Sequence, residues 1–117
     1  MQFLIYGIDP NIEDAPPPTP QLMEEMGKLI EDSMKAGVLV TTGSLQPKGT
    51  RVRLSGGKYS VTDGPYIEAK ELMLGFAVIQ VKSLEEAIGW AKRFRDIVGD
   101  GESEIVPIMG PGDFGPG

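Results

Sequence analysis

Apolar residues recur along this chain in two rhythms, and the switches between them mark out its elements. Gln2 to Ile8 is an apolar run rich in β-formers and closed by Asp9-Pro10-Asn11, which predicts a first strand. In the Pro-rich stretch that follows, Thr19 suits a helix N-cap and Pro20 suits the first helical position, where a missing N–H costs nothing. Three consecutive prolines can also present a polyproline II segment to an aromatic groove. Beyond them Leu22, Met23, Met26, Leu29, Ile30 and Met34 recur at spacings of three and four, an amphipathic helix that Gly37 ends. Val38 to Leu45 returns to strand. Thr50 to Thr62 predicts a β-hairpin turning on Gly56-Gly57, a pair that adopts the positive φ such turns demand. That turn sets Leu54 against Tyr59 and Val52 against Val61, with Arg53 against Ser60 on the other face.

Leu74 to Val81 predicts another strand, and Ser83-Leu84-Glu85-Glu86 reads as a capping box opening a second helix. That helix carries Leu84, Ala87, Ile88, Ala91, Phe94 and Val98 on its apolar stripe and stops near Gly99. Glu104 to Met109 is the last strand, and the Gly/Pro-rich residues 110–117 are predicted as an irregular tail with Phe114 as an anchor. Without the hairpin the order is βαββαβ, the ferredoxin-like α+β arrangement, and residues 1–117 are expected to form a single domain.

Both faces of the predicted sheet are apolar. Phe3 and Ile5 oppose Leu4, Tyr6 and Ile8; Phe76 and Val78 oppose Ala77, Ile79 and Val81. Two helices cover only one face, whereas an antiparallel sheet with a bare face normally alternates apolar with polar residues. A second copy packing sheet against sheet, as a dimeric α+β barrel, is one remedy. An open apolar cleft for a small-molecule ligand is the other.

Composition narrows the chemistry. With 117 residues and 40% hydrophobic content the chain can bury a core. Eleven basic residues scattered among seventeen acidic ones, a formal charge of −6, disfavour nucleic acid and anionic membrane surfaces. No apolar stretch approaches the roughly 20 residues that span a bilayer, and the N-terminus lacks a basic region and a long apolar run, so a cytoplasmic location is expected. The chain has no Cys and no His, which removes thiolate nucleophiles, the commonest general base and the usual metal ligands. No metal site or cofactor is expected, and no phosphate-cradling Gly loop or nucleophile elbow is present.

The segment Val61-Thr62-Asp63-Gly64-Pro65-Tyr66-Ile67-Glu68-Ala69-Lys70-Glu71, followed by Gly75-Phe76, resembles the signature of the YCII-related proteins of the DGPF type. Ala36 to Leu39 leading to Gly43-Ser44-Leu45-Gln46-Pro47, Ser83 to Ala91, and Glu104 to Ile108 are similar to the same family, in the same order. The resemblance implies a dimeric α+β barrel. Some related members are encoded beside extracytoplasmic-function sigma factors, which implies an accessory regulatory role. The broader family has a proposed His–Asp pair, and only the Asp can have a counterpart here, with Asp63 its best candidate. Tyr66 stands where the signature has Phe, and Leu74 replaces the first Gly of Gly-Gly-Phe.

Asp63 has two readings. With Gly64 and Pro65 it can close an Asx-turn that stops the hairpin. Alternatively its side chain, on the face of Tyr59 and Val61, sits at a cleft mouth and acts as a general base. Glu68, Lys70 and Glu71 belong to a solvated charge run, or Glu68 and Lys70 contribute to ligand binding, with Lys70 holding an anion or pairing with Asp63. Arg51 and Arg53 are solvated or clamp a carboxylate, and Tyr6 and Tyr66 are further candidate cleft residues. Two functions follow: a dimeric ligand-binding or regulatory module, or a small isomerase- or lyase-type enzyme using Asp63 as base. Fold alone cannot choose between them.

Overall fold

A computed structural model describes residues 1–8, 19–45, 48–66 and 75–111. The elements run β1 (Gln2–Ile8), α1 (Pro20–Lys35), β2 (Leu39–Ser44), β3 (Lys48–Ser55), β4 (Lys58–Tyr66), β5 (Gly75–Gln80), α2 (Leu84–Val98) and β6 (Glu102–Ile108). Most of the Pro-rich stretch, Glu68, Lys70, Leu74 and Phe114 lie outside the described residues.

Four strands form an antiparallel sheet in the order β2-β5-β1-β6, which is the ferredoxin-like topology with β3 and β4 set apart as a two-stranded sheet. β1 lies at the centre, with Phe3 opposite Ile79 on one side and Pro107 on the other. Phe3, Ile5, Ile79 and Val81 are buried together with Val38 and with Ala87 and Ala91 of α2. The small alanines let α2 approach the sheet closely. Arg93 of α2 reaches Asp32 of α1 at 2.8 Å, tying the helices to each other on that face.

Local chemistry explains the element ends. The Thr19 hydroxyl accepts from the Leu22 N–H at 3.1 Å, and Pro20 opens α1 as its position allows. Gly37 takes φ +71° just beyond the helix. At α2 the Ser83 hydroxyl accepts from the Glu86 N–H, but the Glu86 carboxylate accepts from Lys82, one residue earlier than in a regular capping box.

The helix stripes are narrower than their sequence spacing. In α1 Leu29 is buried and Leu22, Met26 and Ile30 are half-buried, whereas Met23 and Met34 are exposed. Ser33 takes the inward position beside Leu29, its hydroxyl donating to the Ile30 carbonyl at 2.8 Å. In α2 Leu84, Ile88 and Val98 are exposed, because the contact with the sheet runs through Ala87 and Ala91.

The hairpin has the predicted register: Leu54 faces Tyr59, Val52 faces Val61 and Arg53 faces Ser60 around Gly56-Gly57. Asp63-Gly64-Pro65 does not stop it. β4 continues to Tyr66, paired with Lys48, and the register shifts between Lys48 and Thr50, so β4 holds one extra residue there. A proline is tolerated at such an irregularity because no ladder bond is lost. Among the described residues no helix is long and apolar enough to cross a membrane.

Candidate functional site

A cavity of about 390 Å³ opens between the two helices and the sheet. Leu29 and Ile30 of α1, Ala91 and Phe94 of α2, and Ala77 and Ile79 of β5 supply much of its wall. Such a volume falls within the range that encloses a small organic molecule. The space exists because small side chains meet where a core normally holds large ones: Ser33, Ala77 and Ala91 all face it. Its outer end lies beside Gly7, Ser44 and Gly75, at the ends of β1 and β2 and the start of β5.

Two hydroxyls in the wall are already engaged. Ser33 donates to Ile30, and the Thr42 hydroxyl donates to the Phe76 carbonyl at 2.9 Å. The wall is therefore mainly apolar, and binding there draws chiefly on burial of apolar surface. Among the described residues no group of three or more Asp or Glu side chains converges as a metal site.

The sequence points to a cleft on the bare face of the sheet, whereas this cavity lies on the helix-covered face. On the bare face Leu4, Tyr6, Ile8, Phe76 and Val78 are half-buried, and no described helix lies over them. Gly43 lies opposite Phe76 in the ladder, and a Cβ there would make an ordinary 3.5 Å contact with Phe76 Cε1.

Tyr6 borders the cavity, but its place in β1 puts its side chain opposite to Phe3 and Ile5. Asp63 is not at the cavity. It is exposed on the hairpin, on the face shared by Tyr59 and Val61, and accepts from the Thr50 hydroxyl across the ladder at 3.4 Å. Arg51 and Arg53 are exposed on β3, opposite Thr62 and Ser60, and neither forms an ion pair among the described residues. Tyr66 ends β4 in register with Lys48. The structure thus separates Tyr6 from Asp63, Arg51 and Arg53 instead of gathering them into one site. Trp90 packs on the core and also lines the cavity.

Sequence reasoning passed over Arg95. It stands four residues after Ala91 and seven after Ile88, a cation on the apolar stripe of α2, and that placement was its signal. Its guanidinium carbon lies 5.0 Å from the centroid of the Phe94 ring. Its Nη2 lies 3.8 Å from where a Gly7 Cβ would stand. A Cβ at Gly101 would overlap Nη1, so any other residue there would make the tip of the arginine side chain shift.

A model of the YCII-related domain matches residues 1–110. An uncharacterised protein of Rhizobium meliloti (strain 1021) is 34% identical over 91 residues, covering 75% of this chain and 73% of its own length. A match of that span, on a chain with two helices over one face of a β2-β5-β1-β6 sheet, leads to one conclusion: this protein belongs to the YCII-related domain family.

Proposed function

We propose that this chain is a homodimeric ligand-binding module of the DGPF type, with an accessory regulatory role, and that each copy holds a small, largely apolar molecule in the helix-side cavity. The observation that carries this reading is the cavity itself, about 390 Å³ of apolar-walled space between the helices and the sheet. A gap of that size within a core forfeits contacts that tighter side chains would make, and an occupant restores them. The Asp63-Gly64-Pro65 segment supports the DGPF type, and the regulatory role follows from that resemblance.

What supports a dimer is apolar surface left exposed or not covered by a helix among the described residues. Leu4 and Val78 lie side by side on the uncovered face, with Val106 beyond them on β6. The hairpin adds a second apolar face through Val52, Leu54, Tyr59 and Val61. Apolar patches of this kind on a small domain fit a protein partner, and a second copy offers the complementary face. The exposed Asp63 carboxylate, away from the cavity, favours binding over isomerase or lyase chemistry, which needs a base within hydrogen-bond reach of its substrate.

Ser33→Leu tests the cavity. The new side chain projects into the space and narrows it beside Leu29, and it costs no hydrogen bond between elements, since the Ser33 hydroxyl bonds only within its own helix. The variant is expected to melt no lower than wild type and to lose melting shifts given by small apolar compounds. Shifts that persist undiminished in this folded variant would show that the ligand binds elsewhere.

A further inference from the structure

Two polar side-chain atoms are buried without a hydrogen-bond partner among the described residues: Nε of Arg95 and Oγ of Ser103. They lie together in the fold. Ser103 stands opposite Gly7 in the β1–β6 ladder, on the face turned to the helices like Ile105 two residues on. The Arg95 guanidinium lies over the same Gly7 and against Gly101, two residues before Ser103. Gly7 and Phe94, the two groups it rests on, both border the cavity. No carboxylate lies within ion-pair distance of Arg95 among the described residues.

Leaving a buried donor unsatisfied is costly, and more so on a charged group. A guanidinium presents its N–H groups in a planar fork that matches a carboxylate, and a neighbouring hydroxyl can donate to the same anion. The wall hydroxyls of Ser33 and Thr42 are occupied by backbone carbonyls, so they offer a ligand no free donor. We propose that Arg95 and Ser103 form an anion-reading end to the cavity, so that its ligand is an amphipathic carboxylate, with its apolar body between the helices and its carboxylate beside Gly7. This rests on the cavity being the binding site and adds the charge of the ligand to that reading. A purely structural Arg95, stacked on Phe94 and packed against Gly101, would be indifferent to ligand charge.

A matched pair of probes decides, namely octanoate and octanol titrated into the full chain and followed by calorimetry or melting shift. Wild type is expected to bind octanoate at least about tenfold more tightly than octanol, the scale of one charge-assisted contact. Arg95→Gln should bring octanoate down to the octanol level and leave octanol unchanged, while Ser103→Ala should lower octanoate binding by a smaller factor. Equal binding of the two probes by wild type, blocked by Ser33→Leu, overturns the anion reader and keeps the cavity. Octanoate binding that survives intact in a folded Arg95→Gln chain overturns it equally. Failure of wild type to bind either probe overturns both readings.

Discussion

The four-stranded body and the two-stranded hairpin both carry apolar residues at alternate positions along their strands, yet they use them differently. In β1 the alternation sends Phe3 into the core at 1% exposure. In the hairpin it sets Leu54 opposite Tyr59, and these remain 59% and 74% exposed. Strand pattern therefore assigns residues to a face without saying what covers that face. In the body two helices provide the cover. In the hairpin the turn and the ladder hold the element together, and its apolar face stays exposed among the described residues. An isolated two-stranded ribbon is marginal in water, so the hairpin gains most from the dimer proposed above.

That contrast can be tested in descending order of effect. Phe3→Ala should destabilise the chain by about 3–5 kcal/mol, the cost of a large cavity in a packed core, read by urea unfolding. A loss below 1 kcal/mol would mean that β1 is not the centre of the core. Gly57 holds φ +79°, so Gly57→Ala should cost about 1–2 kcal/mol through backbone strain alone. Amide exchange along β3 and β4 would localise that loss to the hairpin. Leu54→Ser should change the unfolding free energy of the separate chain by no more than about 0.5 kcal/mol, as for other exposed positions. The same change should weaken self-association measured by sedimentation. If it unfolds the chain even at low concentration, the hairpin depends on cover within a single copy and the contrast fails. Asp63→Asn should have the smallest effect, within about 0.5 kcal/mol and with ligand shifts retained, because its one described bond is an exposed contact to Thr50. Loss of those shifts would move the site from the cavity to the hairpin and restore Asp63 as the candidate base.

Local signals proved sufficient where the physics is local. Thr19 and Pro20 at α1, Ser83 at α2 and Gly56-Gly57 in the hairpin act within a few residues, and each sits where its chemistry places it. The β1 bounds and the hairpin register follow for the same reason. Asp63-Gly64-Pro65 misled as a stop signal because a register shift absorbs it within β4. The Met23 and Met34 positions misled because a spacing of three and four admits a wider stripe than one sheet contact can bury.

The candidate site was far less legible. Its volume arises from Ser33, Ala77 and Ala91, which are remote in sequence and unremarkable one by one. The placing of Arg95 near Ser103 depends on its guanidinium reaching Gly7, opposite Ser103 in the ladder, and Gly101, just before β6. By itself the sequence determined the element order, the caps, the turn and the two apolar faces of the sheet, because dihedral preference and side-chain alternation are properties of neighbouring residues. Only the tertiary structure decided which face the helices cover, that a cavity remains beneath them, and that Arg95 lies over Gly7, a residue that borders it. Those features are set by how distant side chains add up in volume and charge, and no local pattern encodes such a sum.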